Sequence, residues 1–161
     1  MRILVAFVTV FFVTIKPMTQ WLENFLPYRL NRLSEAVSQS VRPIYQDMLG
    51  LTRPEWRVLA ALADIGPATA TELGAHSAQH KTKVSRAVFR LETRRWLSRT
   101  TDPGDRRSEI LTLTPLGRNA YADLIGPLSA REAALMDKLS PEDRAALLQG
   151  LRALEAVLIS R

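Results

Sequence analysis

The sequence predicts a mainly α-helical fold carrying one small β-hairpin, and three observations predict it. Over long stretches the apolar residues recur at three- and four-residue steps, the period of an amphipathic helix. One segment departs from that period. In Asp102-Pro103-Gly104-Asp105-Arg106-Arg107 a tight turn precedes Ile110, Leu111 and Leu113, which suit a short strand. The third observation is length: 161 residues, without cysteine and without an internal repeat, are enough for one domain around one core.

Residues 3–15 form an almost unbroken apolar run behind Arg2. The run is too short to cross a membrane, which takes about 20 residues. It has the length of a signal-peptide core, yet Lys16-Pro17-Met18 follows where a small-residue cleavage site belongs. Translation from Met18 is the favoured reading, with an extension that packs on a partner chain and a targeting segment as alternatives. Residues 1–17 are therefore set apart, and residues 18–161 are taken as the domain.

From Trp21 to Leu49 the residues Leu22, Phe25, Leu26, Leu30, Leu33, Val37, Val41, Ile44 and Met48 mark a long amphipathic helix. Pro27 falls in a first turn, and Pro43 predicts a break or kink. The stripe is long for a domain of this size, which suits a partner helix from a second chain. Gly50-Leu51-Thr52 ends the element, and Thr52-Arg53-Pro54-Glu55 caps the next, a buried helix through Trp56, Val58, Leu59 and Leu62. A short helix over residues 69–75, a turn at His76-Ser77-Ala78 and a helix over residues 79–94 complete a helix-turn-helix.

Projected at about 100° per residue, that last helix separates cleanly into two faces. Val84, Ala87, Val88 and Leu91 form an apolar stripe. Thr82, Lys83, Ser85, Arg86, Phe89, Arg90 and Thr93 lie opposite. Arginine reads guanine edges or grips phosphate, and Phe89 is the residue type that meets a thymine methyl. Packing of Phe89 against a neighbouring loop is the alternative.

Trp96–Thr100 and Glu109–Leu113 read as two strands joined by the Asp-Pro-Gly-Asp turn. A helix-turn-helix followed at once by such a hairpin is a winged helix, here over residues 52–114, with Arg106 and Arg107 at the wing. Arginines there suit the narrow, electronegative minor groove. Thr114-Pro115 caps a further helix, with helical segments over residues 118–124 and 131–139. Ser140-Pro141-Glu142-Asp143 opens the last one, through Leu147, Leu148, Leu151, Leu154, Val157 and Leu158. The apolar helices 21–49 and 118–160 are not needed by the winged helix, which points to dimerisation.

The charge distribution agrees. The chain has 22 Lys+Arg against 16 Asp+Glu, a net charge of +6. Residues 79–107 hold nine of the basic residues and three of the acidic ones, so the whole excess lies in that window. A localised excess of this kind fits a polyanionic partner, double-stranded DNA first. A winged helix that binds only protein, the alternative function, needs no such excess.

Catalysis finds no support: there is no nucleophile beside a base, no paired carboxylates and no phosphate-cradling glycine loop. His76 and His80 have a zinc-ligand spacing but straddle the expected turn, so neither a metal nor a cofactor is implied. The absence of cysteine excludes a thiol redox switch and fits a reducing cytoplasm.

The wing stretch through Leu111-Thr112-Leu113-Thr114-Pro115-Leu116-Gly117, with Gly50-Leu51-Thr52, Glu55-Trp56-Arg57-Val58-Leu59, Val84-Ser85-Arg86 and Arg90-Leu91-Glu92, resembles the MarR family of bacterial transcription regulators. The resemblance covers roughly residues 22–160. It implies a homodimeric winged-helix repressor on pseudo-palindromic DNA, released by a small molecule such as an aromatic acid or its thioester. By position, Tyr28, Arg29, Arg32, Trp56 and Arg57 are its candidate effector-pocket residues, although core packing alone also accounts for Trp56.

Overall fold

The computed structural model describes residues 18–159 apart from Arg106. The apolar run ahead of Met18 and the Arg106 half of the wing pair therefore lie outside the described residues. The elements are α1 (Met18–Asn24), α2 (Leu26–Leu49), α3 (Arg53–Ile65), β1 (Ala68–Thr69), α4 (Ala70–His76), α5 (Lys81–Thr93), β2 (Leu97–Thr101), β3 (Glu109–Leu113), α6 (Pro115–Met136) and α7 (Pro141–Leu158). No helix among the described residues is long and apolar enough to cross a membrane.

The chain divides into two compact units, one ending at Ser38 and the other beginning at Gln39. In the first, Leu22, Phe25, Leu26, Leu30, Leu33 and Val37 are all exposed, and Trp21 stacks on Phe25 with ring centroids 4.7 Å apart. The second unit holds the core. Leu59, Leu62, Leu73, Val84, Val88, Leu91, Leu97, Leu111 and Leu124 are buried together, with contributions from α3 to α6 and the sheet.

Two helices are more continuous than the sequence suggests. Of the break or kink that the sequence suggests at Pro43, the break is absent, since α2 continues through it. Tyr45 is buried, and Val41 and Ile44 pack on the same core. Burial of Tyr45, with Val41 and Ile44 partly covered, offsets the ~3 kcal/mol that an interior proline costs. Likewise, the segments expected over residues 118–124 and 131–139 are one helix, α6, which continues through Gly126-Pro127. Leu124 on one side of that pair is fully buried and Leu128 on the other packs on the core. Further along, Arg131 Nε donates to the Ser40 carbonyl at 3.1 Å.

The sheet has three antiparallel strands in the order β1-β3-β2. Leu97 pairs with Leu113, Arg99 with Leu111 and Thr101 with Glu109, which fixes the wing register. β1, which was not expected, pairs Ala68 with Leu111 on the other edge of β3. Two residues are too few to show a strand period.

The chain crosses itself tightly where the wing meets α6. Thr114 N–H donates to the Trp96 carbonyl at 3.0 Å, and its hydroxyl donates to the Arg95 carbonyl at 2.7 Å. The same hydroxyl oxygen caps α6 by accepting from Gly117 N–H at 3.1 Å. A Cβ on Gly117 would stand 2.0 Å from the Trp96 carbonyl oxygen, whereas one on Gly126 would meet nothing within 4 Å. Gly117→Ala is therefore expected to lower stability by ~2–3 kcal/mol or more, because backbone cannot yield as a side chain does. Gly126→Ala should gain ~0.5–1 kcal/mol. Urea unfolding of the two variants checks both signs, and equal behaviour would show that the crossing is not tight.

Candidate nucleic-acid interface

α4 and α5 are set by local chemistry before any packing acts. At the start of α4 the Glu72 carboxylate accepts from Thr69 N–H at 2.8 Å and from its hydroxyl at 2.9 Å, while Glu72 N–H donates back to Thr69 Oγ1 at 3.2 Å. These two donors, the backbone N–H first, hold the Glu72 carboxyl below its ordinary range. At the other end, Ser77 Oγ donates to the Leu73 carbonyl at 2.5 Å, Gln79 N–H donates to the Gly74 carbonyl at 2.9 Å, and Ala78 takes a positive φ of 50°. The Gln79 amide reaches the Pro54 carbonyl at 3.5 Å, so the turn is tied to α3.

The expected faces of α5 are present. Val84, Ala87, Val88 and Leu91 are buried, and Thr82, Lys83, Ser85, Arg86, Phe89, Arg90 and Thr93 are exposed. No loop covers Phe89, whose side chain is 65% exposed. Thr93 is partly engaged, since its hydroxyl donates to the Phe89 carbonyl at 2.8 Å.

The wing turn uses its acids as the sequence suggests. Asp102 Oδ1 accepts from Gly104 N–H at 2.8 Å and Asp105 Oδ1 from Arg107 N–H at 3.0 Å. Arg107 is exposed on this turn. Between the start of α4, the outer face of α5 and the wing lies a cleft of about 250 Å³, with Thr71, Lys81, Ser85, Arg99, Arg107 and Glu109 on its walls.

Two of the nine cations in the basic window serve the fold itself. Arg99 on β2 lies between Glu92 of α5 at 2.8 Å and Glu109 of β3 at 2.6 Å. Those hydrogen bonds, Glu92 first, raise its pKa further, so it stays charged at every accessible pH. Arg94 donates to the Leu49 and Gly50 carbonyls at 2.6 and 3.1 Å and lies 5.0 Å over the Trp96 ring, closing the end of α2. Lys81, Lys83, Arg86, Arg90, Arg95 and Arg107 are exposed, with no ion pair among the described residues.

The candidate effector residues fall in different units. Tyr28, Arg29 and Arg32 are exposed on α2 in the first, with the Arg32 guanidinium 5.8 Å over the Tyr28 ring. Trp56 and Arg57 are half-buried on α3 in the second. Trp56 is stacked between Tyr45 and Tyr121, each 6.0 Å away. None of the five lines the hollow of about 370 Å³ formed by Leu62, Ala63, Gly66, Pro67, Thr112, Leu113, Arg118 and Tyr121. The sequence held no signal for it, because its walls come from α3, β3 and α6 and share no spacing. His76 pairs with Asp64 at 3.1 Å, and no group of metal-ligating side chains occurs among the described residues.

Residues 49–108 match the sequence model of the MarR family. The HTH-type transcriptional repressor NicR of Pseudomonas putida is 35% identical over 103 residues. That alignment takes in 63% of this chain and 65% of the repressor, just under two thirds of the relative's length. A MarR-family transcriptional regulator from Silicibacter pomeroyi superposes with a TM-score of 0.71 at 27% identity, covering 89% of this chain and 96% of that one. BpsR of Bordetella bronchiseptica, whose DNA binding is regulated by 6-hydroxynicotinic acid, superposes with a TM-score of 0.66 at 27% identity, covering 79% and 98%.

The Arg99 pairs are exposed enough to contribute about 1 kcal/mol or less to global stability. Their expected effect is local. Arg99→Ala should speed amide exchange along Leu97–Thr101 while the denaturation midpoint hardly moves. Unchanged exchange would mean that the backbone ladder alone holds the wing to α5.

Proposed function

The chain belongs to the MarR family of winged helix-turn-helix transcription regulators, and from that premise we propose that it is a homodimeric repressor of pseudo-palindromic operator DNA. One observation carries this reading. The outer face of α5 presents Lys83, Arg86 and Arg90, exposed and without ion pairs among the described residues, on a helix whose other face is fixed in the core. A rigid helix with unpaired cations and hydroxyls on its free side fits a major groove.

In this reading Thr82, Lys83, Ser85, Arg86, Phe89 and Arg90 enter the major groove. Arg106 and Arg107 reach the adjacent minor groove or its phosphates. Arg86 stands near the middle of the face and is assigned to base readout, and Lys83 and Arg90 flank it as phosphate contacts. Two copies would set half-sites about 10 bp apart. The dimer draws support from α7, where no residue is buried and Leu147, Leu148, Leu151, Val157 and Leu158 are exposed in the single chain. An apolar face of that extent favours a partner.

Release by a small aromatic acid or its thioester completes the proposal. The likeness to BpsR, regulated by 6-hydroxynicotinic acid, supports it. So does the mainly apolar hollow beside Tyr121, with Arg118 as its cation.

Selection from a random-sequence pool, followed by titration across salt, tests the DNA reading. Affinity for the selected duplex should fall ~10³–10⁵-fold between 50 and 200 mM salt if about 6–10 phosphates are contacted. Arg86→Ala should flatten the base preference at one position per half-site. Changing Arg106 and Arg107 together to Ala should weaken binding to all sequences and reduce the salt slope. Salt-indifferent binding, or none, would favour a protein-interaction module. Leu151→Glu should yield monomers in sedimentation, and an intact dimer would place the interface elsewhere.

A further inference from the structure

Phe89 is the most exposed aromatic ring among the described residues, at 65%. A single exposed apolar side chain is ordinary on most surfaces. Its position here is less ordinary. Taking Val84 as the centre of the buried stripe, Phe89 lies about 40° from the diametrically opposite line, beside Arg86, Thr82 and Thr93. Every other exposed side chain on that face is a hydroxyl or a cation. The ring stacks on no other ring and no cation lies over it among the described residues.

Resting on the reading of α5 as the DNA-facing helix, we infer that Phe89 is a specificity-determining residue that packs on the C5-methyl group of one thymine in each half-site. In the major groove that methyl is the apolar feature a base pair offers, and the other edge groups are hydrogen-bond donors and acceptors. A phenyl ring satisfies none of those. Set against any pair but T·A, it removes water from a polar edge without replacing the lost hydrogen bonds. The ring therefore selects by attraction to the methyl and by cost at the other bases.

The spacing of Phe89 and Arg86 adds a second feature. The two are three residues apart on one face, about 4.5 Å along the helix axis. Successive base pairs rise about 3.4 Å. Where Arg86 reads a guanine, the thymine read by Phe89 lies on a neighbouring pair.

The test uses the full chain and the duplex it selects from a random pool. Each thymine is replaced in turn by deoxyuracil, which deletes the methyl and keeps every hydrogen-bonding group. One symmetry-related thymine per half-site should lose ~3–5-fold in affinity per methyl. Phe89→Ala should lose a similar factor on the thymine duplex and become indifferent to uracil there. Phe89→Leu, which keeps an apolar contact, should retain part of the methyl preference. Because Phe89 is exposed, these variants keep the fold, and circular dichroism verifies it.

If the wild-type chain binds with a steep salt dependence yet no thymine is sensitive, the inference is overturned and the regulator reading stands. Methyl sensitivity that persists unchanged in Phe89→Ala assigns the contact to another residue and overturns it equally. If the wild-type chain binds no DNA, the regulator reading fails and takes this inference with it.

Discussion

The carbonyls of Arg95 and Trp96 hold four elements in place. Trp96 N–H closes the end of α5 by donating to the Leu91 carbonyl at 3.0 Å, with Arg95 in a left-handed conformation at φ 60°. From the other side the Trp96 carbonyl takes Thr114 N–H, and the Arg95 carbonyl takes the Thr114 hydroxyl. Gly117 supplies the clearance that lets the first turn of α6 lie against this strand. The end of α5, the start of β2, the end of β3 and the start of α6 thus meet within a few residues. A shift at this point would move the wing and α5 together.

The cations divide according to what surrounds them. Arg94 and Arg99 point toward carbonyls and carboxylates of neighbouring elements and are satisfied there. Those on the outer face of α5 are exposed, with no ion pair among the described residues. A polyanion gains most from the second group, since binding it breaks no internal pair and releases its counterions. The first group aligns the second. Arg99 joins α5 to both wing strands, so the angle between helix and wing rests on side chains that need not touch DNA.

The aromatic stack of Tyr45, Trp56 and Tyr121 links α2, α3 and α6 in a similar way. The core half of the two readings of Trp56 is visible in this stack. Tyr121, the last ring, also forms a wall of the hollow that holds Arg118. A ligand seated there would press on a ring already stacked in the core of the second unit, which gives ligand binding a physical route to the helix that carries Trp56.

Where the chemistry is local, the sequence by itself determined the outcome. The Thr52/Glu55, Thr114/Pro115 and Ser140/Asp143 caps, the Asp102–Asp105 turn and the two faces of α5 all lie within a few residues of their partners, and spacing alone carries them. The resemblance to the MarR family rested on the same short stretches. What the sequence missed depends on residues distant along the chain. Burial of Tyr45, Leu124 and Leu128 carries α2 and α6 unbroken through Pro43 and Pro127. β1 exists only because β3 offers it an edge. The role of Arg99 is set by Glu92 and Glu109, seven and ten residues away and brought near only when the hairpin closes on α5. Composition counts a charge wherever it stands; only the tertiary structure decides whether a neighbour has already neutralised it.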